Sequence, residues 1–165
     1  MESQECKQRL LSLLSKHNLS IATAESCTGG LVAACLCDIS GISSYFEEGY
    51  ITYSEEAKIK NLGVSSETIA NKGVVSQETA TEMAKGAAKR ANANCAIATT
   101  GIAGPSGGTE ETPVGTVCIA CTVNEYTYVE TMYFEGNRSM VRTQAANYAL
   151  EMLCDYIEAY FELKE

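Results

Sequence analysis

The chain has one histidine, two prolines and no tryptophan among its 165 residues. A single histidine, His17, placed at the end of an N-terminal apolar-periodic stretch, leaves a Ser-His-Asp triad without its base. It also leaves zinc without the paired Cys/His ligands it usually recruits. Basic residues are scarce too: 12 Lys and Arg against 21 Asp and Glu give a formal charge of -9. With no Lys/Arg cluster to displace counterions, a general nucleic-acid binder is excluded as an expectation. No run approaches the roughly 18 apolar residues of a membrane span. Met1 to His17 reads as an amphipathic polar helix rather than a signal peptide. The expectation is therefore a cytoplasmic protein with no membrane or nucleic-acid partner.

Cysteine is not scarce, with eight residues. In a reducing cytosol these are expected as free thiols, mostly small buried side chains. Cys118 and Cys121 have CxxC spacing but lie in an expected strand, where an odd separation sends the side chains to opposite faces.

Periodicity predicts a helix over residues 3–17 stopped by Asn18, a short buried strand at Ile21–Ala24, and a helix opening at Ser26 to Gly30 and running to about Cys37. Residues 45–53 read as strand, and Ser54, Ser65 and Ser76 as helix starts, the last before an Ala-rich helix to about Ala91. Cys95 to Thr99 has the continuous small apolar character of a strand covered on both faces. Val114–Val123 and Tyr126–Phe134 form an expected hairpin, and Arg138 to Leu163 a final helix. The pattern predicts one α/β domain, a three-layer α/β/α sandwich with a mixed sheet.

Two Gly-rich segments carry the chemistry. In Glu25-Ser26-Cys27-Thr28-Gly29-Gly30 a serine sits at a strand-to-helix turn, where free helix amides could hold an oxyanion. The plain alternative makes Ser26 or Thr28 an N-cap. Without histidine the base falls to lysine, and Lys58 after Tyr53-Ser54-Glu55-Glu56-Ala57 is the candidate, with the Tyr53 hydroxyl to relay or orient protons. The alternative reads Lys58 as a solvated helix lysine and Tyr53 as a core aromatic. Cys27 is a rival nucleophile, because a thiol at a helix N-terminus has a depressed pKa. The second segment, Thr100 to Gly108, matches neither the Rossmann nor the Walker pattern; it is a plain loop or a cradle of amides, from Gly101 onward, for an anion or an oxyanion.

Taken in order, Thr23 to Gly30, Phe46 to Lys58, Thr100 to Gly108, Thr112-Pro113-Val114-Gly115-Thr116, and Gly136-Asn137-Arg138 with Arg142 resemble the C-terminal domain of the CinA family. The resemblance implies nicotinamide-nucleotide amidase activity: nicotinamide mononucleotide plus water to nicotinic acid mononucleotide plus ammonia. It maps the family's serine, tyrosine and lysine onto Ser26, Tyr53 and Lys58, and implies a homo-oligomer, a dimer being favoured, without metal or cofactor. Substrate contacts are expected from Cys27, Thr28, Gly29, Gly30, Thr100, Gly101 and Gly104, with Arg138 or Arg142 on the phosphate. Many family members carry an additional N-terminal pyrophosphatase domain, whereas this sequence opens directly on the amidase-like part. The alternatives are a non-catalytic nucleotide-binding or regulatory domain, or an amidase for another carboxamide.

Overall fold

The structure, a computed structural model, describes residues 2–164. Its elements are α1 (Glu2–His17), β1 (Ile21–Glu25), α2 (Leu31–Cys37), a 3₁₀ turn (Ile42–Ser44), β2 (Phe46–Ile51), α3 (Glu55–Leu62), α4 (Ser66–Lys72), α5 (Gln77–Ala91), β3 (Cys95–Gly101), β4 (Thr116–Val123), β5 (Tyr126–Tyr133) and α6 (Arg138–Glu162). Local chemistry sets most of the boundaries. Ser54, Ser76 and Asn137 cap their helices by accepting from Ala57 N, Thr79 N and Met140 N. Asn18 and Asn92 end α1 and α5 in the left-handed conformation.

The strands form one sheet in the order β2-β1-β3-β4-β5. β2, β1 and β3 are parallel, while β4 and β5 are antiparallel to their neighbours, so the sheet is mixed. The two faces differ in texture. On one side Ile21, Ile97, Ile119 and Val123 pack against Leu10, Leu14, Leu36, Val141 and Leu153 from α1, α2 and α6. On the other, Ala22, Ala24, Ala96, Ala98 and Ala120 meet Ala80, Met83, Ala84 and Ala87 of α5. The result is the expected three-layer α/β/α sandwich. Cys121 belongs to the first cluster and Cys118 to the second, as the strand period requires. All eight cysteines are free thiols. No helix among the described residues is long and apolar enough to cross a membrane.

The chain leaves β1 for α2 on the large-residue face, and leaves β2 for α3 on the alanine face. Adjacent parallel strands whose connections diverge this way open a crevice at their carboxyl ends. Ser26 follows β1 and Tyr53 follows β2, so both stand at that crevice.

Candidate active site

Ser26 is the first residue beyond β1, and its amide donates to Thr99 O of β3 at 3.0 Å. The chain then turns through Cys27 to Gly30 before α2 begins at Leu31, five residues later than the opening expected at Ser26. The N-cap position falls to Gly30, with φ 101° and no side-chain cap bond. This left-handed geometry suits glycine and disfavours serine or threonine. Ser26 is therefore not a cap, and neither is Thr28. The Thr28 hydroxyl instead donates to Glu25 Oε1 at 2.6 Å and shares a 2.8 Å bond with Thr99 Oγ1.

Glu25, the fully buried last residue of β1, fills the place the sequence assigned to an oxyanion. Its Oε1 accepts from Gly30 N (3.2 Å) and Val32 N (2.8 Å), and its Oε2 accepts from Ala33 N (3.0 Å). The helix amides expected to stand free are thus occupied by a carboxylate of the protein itself. Arg142 grips the turn from behind, donating from Nε to Cys27 O and from Nη2 to Thr28 O, each at 3.0 Å. A Cβ at Gly29 would lie 3.0 Å from that same Nη2. The Thr28 hydroxyl and the Arg142 guanidinium thus brace the turn from behind, and Gly29, Gly30 and Arg142 do not line the cleft. These contacts hold the turn that carries Ser26.

Lys58, near the start of α3, is completely buried rather than solvated. Its Nζ lies 2.9 Å from Ser26 Oγ, 2.8 Å from Thr52 O and 3.3 Å from Tyr53 O. No carboxylate is among these partners. Burial drives its pKa down from 10.5 to about 8, against weaker pulls upward from Cys27 and Glu55. Here Lys58 Nζ donates to Ser26 Oγ, and the hydroxyl donates to Tyr53 O at 3.4 Å; once neutral, the amine keeps two N–H donors for the two carbonyls and is free to accept from the hydroxyl.

Tyr53 enters the dyad through its main-chain carbonyl. Its side chain is 61% exposed, and the hydroxyl accepts from Arg138 Nη2 at 3.0 Å. That hydroxyl, expected to relay or orient protons, is bound to Arg138 and belongs to a residue that lines the cleft. Arg138 Nη1 also donates to Gly104 O at 2.8 Å, joining the tyrosine to the Gly-rich loop.

The dyad opens into a cleft of about 380 Å³, within the usual size range of small-molecule sites. Val74, Val75, Ile102 and Ala103 give it apolar walls, with Arg138 and Glu55 also lining it. Thr100 and Gly101 complete β3 rather than open the loop. Both line the cleft, and Thr100 Oγ1 donates to Val74 O at 2.9 Å, tying down the α4–α5 connection. Gly104 lines the cleft as well. Cys27 also reaches it, yet its thiol is pushed up to about 12, first by burial and then by the Glu25 charge. The depressed thiol pKa expected from a helix N-terminus does not arise, because burial opposes the thiolate and the Glu25 charge adds to it.

The sequence reading passed over Glu25, Val74 and Val75. Glu25 reaches donors as far as eight residues ahead, beyond the spacing of an ordinary cap. Val74-Val75 had a visible signal, an apolar pair between two helix starts.

Residues 3–157 match the family described as the CinA C-terminal domain. A CinA-like protein of Kosmotoga olearia is 47% identical over 150 residues, covering 91% of this chain and 36% of that protein. A CinA-like protein of Chloroherpeton thalassium is 46% identical over 157 residues, covering 93% of this chain and 37% of that one. The chain thus spans little more than a third of these curated relatives. Among solved structures, a CinA superfamily protein of Klebsiella pneumoniae superposes with a TM-score of 0.91 at 36% identity, over 95% of this chain and 98% of the other. The competence/damage inducible protein CihA of Agrobacterium tumefaciens gives 0.88 at 41% identity, over 93% and 94%. On sequence and fold together, the chain belongs to the CinA C-terminal domain family.

Proposed function

We propose that this domain is a serine amidase that hydrolyses the carboxamide of nicotinamide mononucleotide to the carboxylate and ammonia. The observation that supports it most is the 2.9 Å contact between Ser26 Oγ and the fully buried Lys58 Nζ. A lysine titrating near 8 is partly neutral at physiological pH and can act as a general base.

Neutral Lys58 takes the Ser26 proton as Oγ bonds to the carboxamide carbon, and the carbonyl oxygen becomes an oxyanion. Lys58 then returns the proton to the nitrogen, the C–N bond breaks and ammonia leaves an acyl-enzyme. Water attacks that ester, giving its proton to Lys58. The Oγ–C bond breaks, the proton passes back to Ser26, and the carboxylic acid departs ionised. Val74, Val75, Ile102 and Ala103 offer apolar surface to the planar ring, and Arg138 offers a cation to the phosphate.

Ammonia release from nicotinamide mononucleotide is the test, run on the unaltered protein and on Ser26→Ala, Lys58→Ala and Cys27→Ala. The reading expects turnover in the unaltered protein and in Cys27→Ala, and loss in the other two. Full activity in Ser26→Ala sinks the serine mechanism, and loss in Cys27→Ala alone would install the thiol. Binding without turnover in the unaltered protein would make this a nucleotide-binding domain instead. Equal turnover of carboxamides lacking the phosphate would widen the substrate class.

A further inference from the structure

A serine hydrolase needs donors for its oxyanion as well as a base. The amides of Gly30, Val32 and Ala33 are ruled out, since all three donate to Glu25. The two amides ahead of them are different. Among the described residues, Cys27 N and Thr28 N meet no oxygen acceptor, Cys27 N facing only its own sulfur, although Cys27 is only 6% exposed and Thr28 0%. Buried amides are paired in the great majority of cases. Two consecutive unpaired ones directly after a nucleophile point to an acceptor brought by the substrate.

The direction of these amides follows from their neighbours. In a trans peptide the N–H points opposite to the carbonyl of the same unit. Cys27 O is held by Arg142, so Thr28 N–H points away from Arg142. Ser26 O accepts from Gly29 N, so Cys27 N–H points away from Gly29. Glu25 fixes the turn from the strand side. It draws in the donors at positions 30, 32 and 33, and it receives the Thr28 hydroxyl on the same carboxylate. That leaves residues 27 and 28 outside the helical ladder.

We propose that Glu25 is a positioning residue, whose carboxylate ties the turn so that the Cys27 and Thr28 amides are left to hold the oxyanion formed at Ser26. The proposal rests on the serine-hydrolase reading, but its test does not require the natural substrate. The probe is 3-pyridineboronic acid. The Ser26 hydroxyl adds to trigonal boron, an Oγ–B bond forms, the proton passes to Lys58 and the tetrahedral boron carries the negative charge.

Glu25→Gln, checked for a folded circular dichroism spectrum, is expected to bind the boronate about 100-fold more weakly than the unaltered protein, in line with loss of an oxyanion donor. Its kcat should fall by a similar factor with KM changed little, and the acid limb set by Lys58 should stay near pH 8. If Glu25→Gln does not fold, Thr28→Val and Thr28→Ser carry the test. Valine removes the hydroxyl bond to Glu25 and should weaken the boronate at least about 10-fold, while serine restores it. A folded Glu25→Gln with unaltered boronate affinity overturns the proposal, as do equal affinities in the two Thr28 variants or failure of the unaltered protein to form a Ser26 adduct. A protein that forms the adduct but releases no ammonia overturns the amidase reading and leaves this one standing.

Discussion

Glu25 and Lys58 are both fully buried beside the Ser26 turn, one at the end of β1 and the other near the start of α3. Their surroundings are opposite. Glu25 is saturated, with a hydroxyl and three amides on its two oxygens. Lys58 has two carbonyls and a serine hydroxyl but no opposite charge. A buried charge that is fully hydrogen-bonded holds structure, whereas one left without a counter-ion shifts its protonation. The contrast separates the residue that shapes the turn from the one proposed to act as base.

Removing the proposed base gives the largest expected effect. Lys58→Met should lower kcat/KM for ammonia release by about 10³-fold or more, since base and leaving-group acid are lost together. Removing the saturated member acts on stability. Glu25→Ala strands three buried or half-buried amides and leaves the Thr28 hydroxyl with Thr99 alone, and urea unfolding should show a loss on the order of 3 kcal/mol.

The third prediction concerns pH. Lys58 titrates near 8 when folded, below its ordinary 10.5. Between these values the unfolded chain binds a proton that the folded protein does not. Its contribution to stability therefore rises with pH across that window, by about 3 kcal/mol, and is at its minimum below pH 8. Cys27 and Cys95, both pushed up to about 12, act in the opposite sense. The measurement is therefore the stability difference between the unaltered protein and Lys58→Met, which should shift in favour of the unaltered protein from pH 8 to 10.5. A difference that stays constant over that range would break the contrast between the two buried groups.

Seating of α3 gives a smaller effect. A Cβ at Gly86 of α5 would lie 2.0 Å from Leu62 O, at the end of the helix that carries Lys58. Gly86→Ala should therefore cost about 1–3 kcal/mol by thermal unfolding, as overpacking does, and should lower kcat. The least change is expected from Cys27→Ala, with kcat/KM within about 5-fold, because a protonated thiol supplies no nucleophile.

The architecture was legible because it rests on local rules. The serine caps, the Asn18 stop and the small apolar run of β3 all act within a few residues. The site was legible in its residue types and less so in its contacts. Lys58 and Lys60 stand in the same short helix with similar neighbours in sequence, yet only Lys58 is buried. Packing of α3 on α5 makes that choice, and no spacing rule carries it. Tyr53 was placed correctly beside the dyad, but which of its atoms faces inward depends on Arg138, 85 residues away. Glu25 escaped notice because its donors converge only once Gly30 adopts its left-handed turn.

The divergent connections at β1 and β2 also have a kinetic meaning. Ser26 and Lys58 are 32 residues apart, but α3 is held against α5, and α5 is held against β1, β3 and β4. The dyad therefore cannot close when the first half of the chain collapses; it waits for strands drawn from the second half. Followed during refolding from urea, catalytic competence should appear with the completed sheet and never ahead of it.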